Sequence, residues 1–276
     1  MESYVIGGPM KYTRLGAAAF AAFALTNAAN AADLAARFSG VPPAPLPVFS
    51  WTGLYVGGNF GGGFGDKWWD NNDPLNNHFW FGYPGQSIGT TSIEGLLGGG
   101  QVGYNWQFAA PIVVGVEGTF DGSDISGHFN TGIPGTLTMT NASKLDWLST
   151  VVGRIGVTVD DHALIYAGGG AAWTNEKDSV VSFGPGLGGN FAGQNISYSG
   201  TTTETGWTVL AGVEYAINPN WSARLQYNYI EFNNPSITMP SGNPGTTAFT
   251  GSALGVSTPL RLNVVTAGLN YRFNWW

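Results

Sequence analysis

From Ser50 onward, apolar side chains recur at every second position in segments of roughly 51–65, 93–108, 111–122, 143–159, 162–176, 202–217, 220–233 and 260–273. A period of two residues predicts strands, each with one apolar face and one polar face. Trp207, Val209, Ala211, Val213 and Tyr215 fall on one side of the sixth segment, opposite Thr208, Gly212 and Glu214. The seventh repeats this, with Trp221, Ala223, Leu225, Tyr227 and Tyr229 against Ser222, Arg224, Gln226 and Asn228. Each segment could cross a bilayer as a tilted strand, which takes about 9–11 residues.

The connections alternate in length. Ala109-Ala110, Asp160-Asp161 and Asn218-Pro219 are tight turns, whereas about 66–92, 123–142, 177–201 and 234–259 are long and rich in Gly, Asn, Pro, Ser and Thr. Short turns on one side and long loops on the other predict an all-β fold: an eight-stranded antiparallel transmembrane β-barrel, an up-and-down meander. The last strand should close on the first, around Gly53–Gly63, leaving no free edge.

Composition decides which side of the wall meets lipid. Only 10% of the 276 residues are charged, against about 25% in soluble domains. No apolar run reaches the roughly 20 residues of a membrane helix, so a closed barrel is the remaining way to cross lipid. A lipocalin-like barrel would turn its apolar face to a cavity. Here Trp106, Trp147, Trp207, Tyr215 and Trp221 lie near strand ends, where interfacial aromatic girdles belong, which places lipid outside and polar groups inside. A net charge of −7 argues against nucleic acid as a partner, and the absence of cysteine removes disulfide and thiol chemistry.

The first 49 residues have no strand period. Lys11 and Arg14 precede the apolar run Leu15 to Leu25, and Ala29-Asn-Ala31 offers a cleavage site, so residues 1–31 read as a secretory signal peptide. Met10-Lys11 is the expected start, with residues 1–9 upstream of it. Pro42, Pro43, Pro45 and Pro47 make residues 32–49 an extended periplasmic spacer before a barrel domain of 50–276.

The polar faces carry Glu117, Asp146, Arg154, Glu214, Arg224 and Arg272, expected as barrel-interior residues that pair because charge is costly in lipid. A hairpin centred on Pro219 sets Glu214 opposite Arg224 and predicts an ion pair between them. Such a pair could gate a pore or pass protons, but interior packing is the favoured reading, since eight strands leave room only for side chains.

Other candidates are weaker. Gly98, Gly100 and Gly103 match G-x-G-x-x-G, but Tyr104 to Phe108 continue a strand and supply no helix N-terminus for a phosphate. His78, among Trp68, Trp69, Phe79, Trp80, Phe81 and Tyr83, could ligate haem; loop packing is the favoured alternative. His128 and His162 belong to opposite ends of the barrel, and Ser126 beside His128 is too little for a hydrolase. Asp66, Asp70 and Asp73 lack the EF-hand spacing. The expectation is therefore no cofactor, no metal and no catalysis.

In the closing strand, Thr266, Gly268, Tyr271 and Phe273 resemble the C-terminal insertion signal of outer-membrane barrels, although Asn274-Trp-Trp276 runs past it. Ala31-Ala-Asp-Leu34, Phe49 to Asn59, Gly206 to Tyr215, Asn220 to Arg224 and Thr266 to Phe273 resemble the alphaproteobacterial outer-membrane immunogenic and porin family surface antigens. That resemblance implies an OmpA-like barrel in the outer membrane with a structural and antigenic role, and the alternation of short turns and long loops sets both termini in the periplasm. The resemblance also implies a monomer whose partners are outer-membrane lipids, lipopolysaccharide and the barrel-assembly machinery. Three rivals are a small-solute channel lined by Gln101, Asn105, Thr208, Gln226 and Asn270, a loop-based haem or host-surface binder, and a lipid-modifying enzyme.

Overall fold

A computed structural model describes residues 50–71, 86–109, 111–133, 137–160, 162–183, 195–232, 236–240 and 253–273. The expected signal peptide and spacer, Asp73, His78 and the terminal Trp275 and Trp276 lie outside these residues.

The strands are β1 (Gly53–Asn71), β2 (Ser87–Ala109), β3 (Ile112–Ile133), β4 (Leu137–Val159), β5 (Ala163–Phe183), β6 (Asn195–Ala216), β7 (Trp221–Phe232), β8 (Ser236–Pro240), β9 (Ala253–Ser257) and β10 (Leu260–Arg272). β1 to β7 pair in chain order, β10 pairs with β7, and β10 also pairs with β1 from Tyr55↔Arg272 to Lys67↔Leu260. This closes an eight-membered antiparallel ring in which every wall strand has a neighbour on both sides. β8 and β9 form a short hairpin at the end far from the termini, where β9 meets β1 at Asp70↔Ser257.

The tight turns fall where the alternation breaks, between Ala109 and Ile112, Val159 and Ala163, and Ala216 and Trp221. In the second of these, Asp160 takes a positive φ of 51° and accepts the backbone N–H of His162 at 2.6 Å. In the third, the Asn218 side chain accepts the N–H groups of Asn220 and Trp221.

The opposite ends differ from expectation. Much of the predicted loops 66–92, 123–142 and 177–201 is paired strand, so β2 and β4 reach 23 residues each and β3 reaches 22. At about 3.3 Å per residue these strands are far longer than the roughly 25 Å apolar band of a barrel requires. The loop-like composition has a physical cause. Near the girdle Phe60, Phe64, Leu96, Phe120 and Trp207 are exposed on the outside, but beyond it the outer face carries Asp66, Glu94, Asp124, Lys144 and Lys177. Inside at that height sit Ile93, Ile125, Leu145 and Val180. The outer face thus turns polar beyond the girdle, where water replaces lipid around the wall, while the inner face there mixes apolar and ionic side chains.

Glycine permits the filling. A Cβ at Gly63 on β1 would lie 2.5 Å from Cδ1 of Ile125, a side chain from β3 that occupies the space Gly63 leaves. Gly103 similarly makes room for the Tyr55 ring.

Candidate functional site: the barrel interior

The interior consists of two ionic clusters separated by an apolar layer. Nearest the termini, Trp51 is fully buried, with the Arg272 guanidinium 4.7 Å from its ring centre and Leu164 and Ala216 in the same apolar cluster. Above them lies the first ionic cluster. Arg224 Nη1 donates to both Glu117 oxygens at 2.7 Å, and Tyr55 adds its hydroxyl to Glu117 Oε2 at 2.6 Å. Arg154 lies 3.4 Å from Glu117 and 3.5 Å from Glu214, donates to Asn105 Oδ1, and stands 4.9 Å from the ring centres of Tyr55 and Tyr166. Glu214 also accepts from Ser222 at 2.5 Å and Asn270 at 3.0 Å, with Arg272 at 3.8 Å. Charge-assisted bonds of this kind offset the desolvation of buried ions.

Glu117, Arg154, Glu214, Arg224 and Arg272 are thus brought together inside the barrel, all almost fully buried. Glu214 and Arg224 are register partners, as the hairpin geometry predicts, but Arg224 bonds to Glu117. Asp146 is a correction. The β4–β5 ladder is irregular between Leu145 and Trp147, so Asp146 is an unpaired extra residue and the period-two count fails there. It lies outside, bonded to the half-exposed Lys177 at 2.6 Å.

The apolar layer comes next: Leu97, Ile125, Leu145, Leu148, Ile230, Phe232, Leu262 and Val264 belong to one buried cluster. Beyond it lies the second ionic cluster. Lys67 of β1, wholly buried, reaches across the ring to Glu176 at 2.6 Å and Asp178 at 2.5 Å on β5. It also donates to Ser143 at 3.2 Å and stands 4.6 Å from the Trp69 ring centre. Glu204 is buried beside this group and its Oε1 has no hydrogen-bond partner. These residues lie above the Trp207 girdle, flanked outside by Thr203 and Thr205. Burial and the nearby Glu176 carboxylate push the Glu204 carboxyl up to about 7, with Lys67 opposing. Burial likewise raises that of Glu176.

Sequence reasoning missed Lys67, Glu176, Asp178 and Glu204 because they fall in segments read as loops or at predicted strand ends. Parity would have found them: Lys67 is an even number of residues from Tyr55, and Glu176 and Asp178 from Leu164, so each continues its strand's inner face.

The remaining candidates are dispersed. His128 is exposed on the outer wall of β3, and His162 is in the turn before β5, its Nδ1 3.0 Å from Asp160 O. Ser126 is exposed on β3 opposite Lys144, and Asp66 accepts from Ser92 at 3.0 Å on the outer wall. Asp70 is at the end of β1 beside β9. Among the described residues no group of three or more His, Cys, Asp or Glu side chains is arranged to hold a metal ion. On the closing strand, Thr266 and Gly268 share the inner parity. Tyr271 and Phe273 share the outer one, their rings edge to face at 5.1 Å, with Trp221 against Tyr271 at 5.2 Å.

Comparison with known proteins places this architecture. The chain is 30% identical over 260 residues to the 31 kDa outer-membrane immunogenic protein of Brucella melitensis, covering 93% of this chain and 98% of that one. It is 30% identical over 199 residues to the 22 kDa outer membrane protein of Rhizobium leguminosarum, covering 71% and 72%. The crystal structure of the outer membrane protein OprG from Pseudomonas aeruginosa aligns with a TM-score of 0.38 at 11% identity, covering 81% of this chain and 97% of that one. The family described as outer membrane protein beta-barrel domain matches residues 15–273, and the chain belongs to it.

Proposed function

We propose that this outer-membrane barrel is a structural and surface-exposed component of the envelope that conducts no solute and catalyses no reaction. The observation that supports this reading is the filled cross-section: two ionic clusters that each bridge opposite walls, with an apolar layer between them. The polar residues that would line a channel are tied to one another, as in Gln101 Nε2 to Asn270 Oδ1 at 2.7 Å and Tyr166 to Gln226 at 2.9 Å. A continuous water path would have to break these bonds and wet the apolar layer. Refolded protein in planar bilayers should leave the current at the lipid baseline, and liposomes containing it should not swell in small sugars. Reproducible conductance steps would overturn the reading in favour of a channel.

The same reading sets both termini and the short turns in the periplasm and the tall wall outside the cell, in keeping with relatives described as immunogenic. Outer-membrane lipids and lipopolysaccharide surround the wall, the barrel-assembly machinery inserts it, and the closed ring acts as a monomer. The chain has no native cysteine, so single-site labelling is clean. A membrane-impermeant maleimide should label Asn130→Cys, exposed on β3, on intact cells and Asn218→Cys only after permeabilisation; the reverse pattern would invert the orientation.

A further inference from the structure

On the outer wall of β3 to β6, just beyond the girdle, Lys144 and Lys177 are direct register partners. Like charges opposite one another on neighbouring strands are unfavourable unless something between them is negative. Each lysine is held from the side, Lys144 by Asp124 at 2.9 Å and Lys177 by Asp146 at 2.6 Å, and both are about half exposed. Exposed pairs of this kind contribute little and exchange partners readily. The two lysines border an open groove of about 630 Å³. Small residues, Ala142, Ser179 and Gly200 among them, line it together with His128 and with Asp178, whose carboxylate Lys67 neutralises.

The position of the groove selects its occupant. Trp147, stacked on Phe120 with ring centres 5.7 Å apart, marks the top of the lipid-facing band. Lys144 is three residues beyond it on β4, or about 10 Å along the strand, where headgroup phosphates and the first sugars of a glycolipid lie. Ammonium groups at this height are drawn to anionic headgroups. The small residues leave a sugar ring space against the wall, and the hydroxyls of Ser126, Thr140 and Thr201 are within the same groove to meet its hydroxyls.

We propose that this groove binds the phosphorylated saccharide headgroup of an outer-leaflet glycolipid, with Lys144 and Lys177 sharing one phosphate. The proposal rests on the orientation proposed above, but binding in detergent does not depend on orientation, so the two fail separately. Native mass spectrometry would titrate full-length mature protein with bis-phosphorylated lipid A, with the same lipid after dephosphorylation, and with inorganic phosphate. The Lys144→Ala/Lys177→Ala variant should bind phosphorylated lipid A roughly tenfold or more weakly than the parent. Arg261→Ala, on another part of the wall, should leave binding unchanged. Parent and variant should bind dephosphorylated lipid equally. Heat-modifiable migration on gels would report that each variant is folded. Equal affinity of parent and double variant for phosphorylated lipid, or equal affinity of the parent for the dephosphorylated lipid, would overturn the proposal. So would saturation of the site by inorganic phosphate alone.

Discussion

Glu214 and Arg224 face each other in register across the β6–β7 hairpin, yet Arg224 spans the ring to Glu117 on β3. With eight strands in the ring, β3 and β7 are diametrically opposite, and so are β1 and β5, which Lys67 joins through Glu176 and Asp178. The interior ions therefore act as cross-struts at two heights and add to the ladder bonds that hold neighbouring strands. A narrow barrel brings opposite walls within reach of two long side chains, and their charge-assisted bonds then compete with local pairing.

The strut interpretation predicts unequal couplings. In double-mutant cycles on refolded protein, read from urea unfolding, the Glu117–Arg224 pair should show a coupling of about 2 kcal/mol or more. The Glu214–Arg224 pair should show roughly 0.5 kcal/mol or less. Equal couplings would return the hairpin neighbours to the central role.

Asp146 supplies the contrasting case. Because its partner Lys177 is half exposed, Asp146→Asn should change stability by less than about 0.5 kcal/mol. Glu117→Gln, which leaves Arg224 buried without its carboxylate, should cost roughly 3–5 kcal/mol. Comparable losses in the two variants would place Asp146 inside.

The fit of Ile125 against Gly63 can be tested by compensation. Gly63→Ala places a methyl 2.5 Å from Ile125 Cδ1 and should cost about 1–3 kcal/mol. Adding Ile125→Val removes that carbon and should recover most of the loss; strictly additive losses would show that the two positions do not share the space.

Glu204 gives a pH dependence of known sign. Its carboxyl is raised from 4.5 to about 7 in the folded barrel. The folded state thus holds this proton more tightly than the unfolded chain, so the associated stability is present at low pH and lost as pH rises through about 7. Between pH 8 and pH 5 the parent should gain roughly 1–2 kcal/mol more than Glu204→Gln, the full linkage being reduced by solvent screening, measured as the shift in denaturation midpoint. Lys67, Glu176 and Asp178 face the same space, so a parent and variant with parallel pH profiles would assign any gain to Glu176 instead.

The lipid-facing half was the most legible part of the fold. Trp207 through Tyr215, and Trp221 through Tyr229, alternate cleanly because lipid outside and ions inside impose opposite demands on adjacent residues. The tight turns could be read for the same reason, as places where that demand stops. The upper wall was not legible because its outer face meets water, so segments such as Thr138-Met-Thr-Asn-Ala142 mix polar and apolar residues like a loop while their backbones remain paired. The site was legible as a set of charges and not as a set of partners. Glu117 and Arg224 are 107 residues apart, and no local spacing encodes a contact across a ring. Asp146 was misplaced by a single irregular residue, which a parity count cannot detect.

The paired upper wall also determines how the surface meets a protease. A cleavage site must be drawn out as a single unpaired stretch before it fits a protease cleft. From Met139 to Leu145 residues are matched to strands on either side in the β3, β4 and β5 ladders, and from Gly127 to Thr131 they are matched to β4. These Gly-, Ser- and Asn-containing stretches should withstand surface shaving of whole cells and exchange their amide hydrogens slowly, despite a composition that invites digestion. The ladder that lifts the wall clear of the bilayer thereby also armours it.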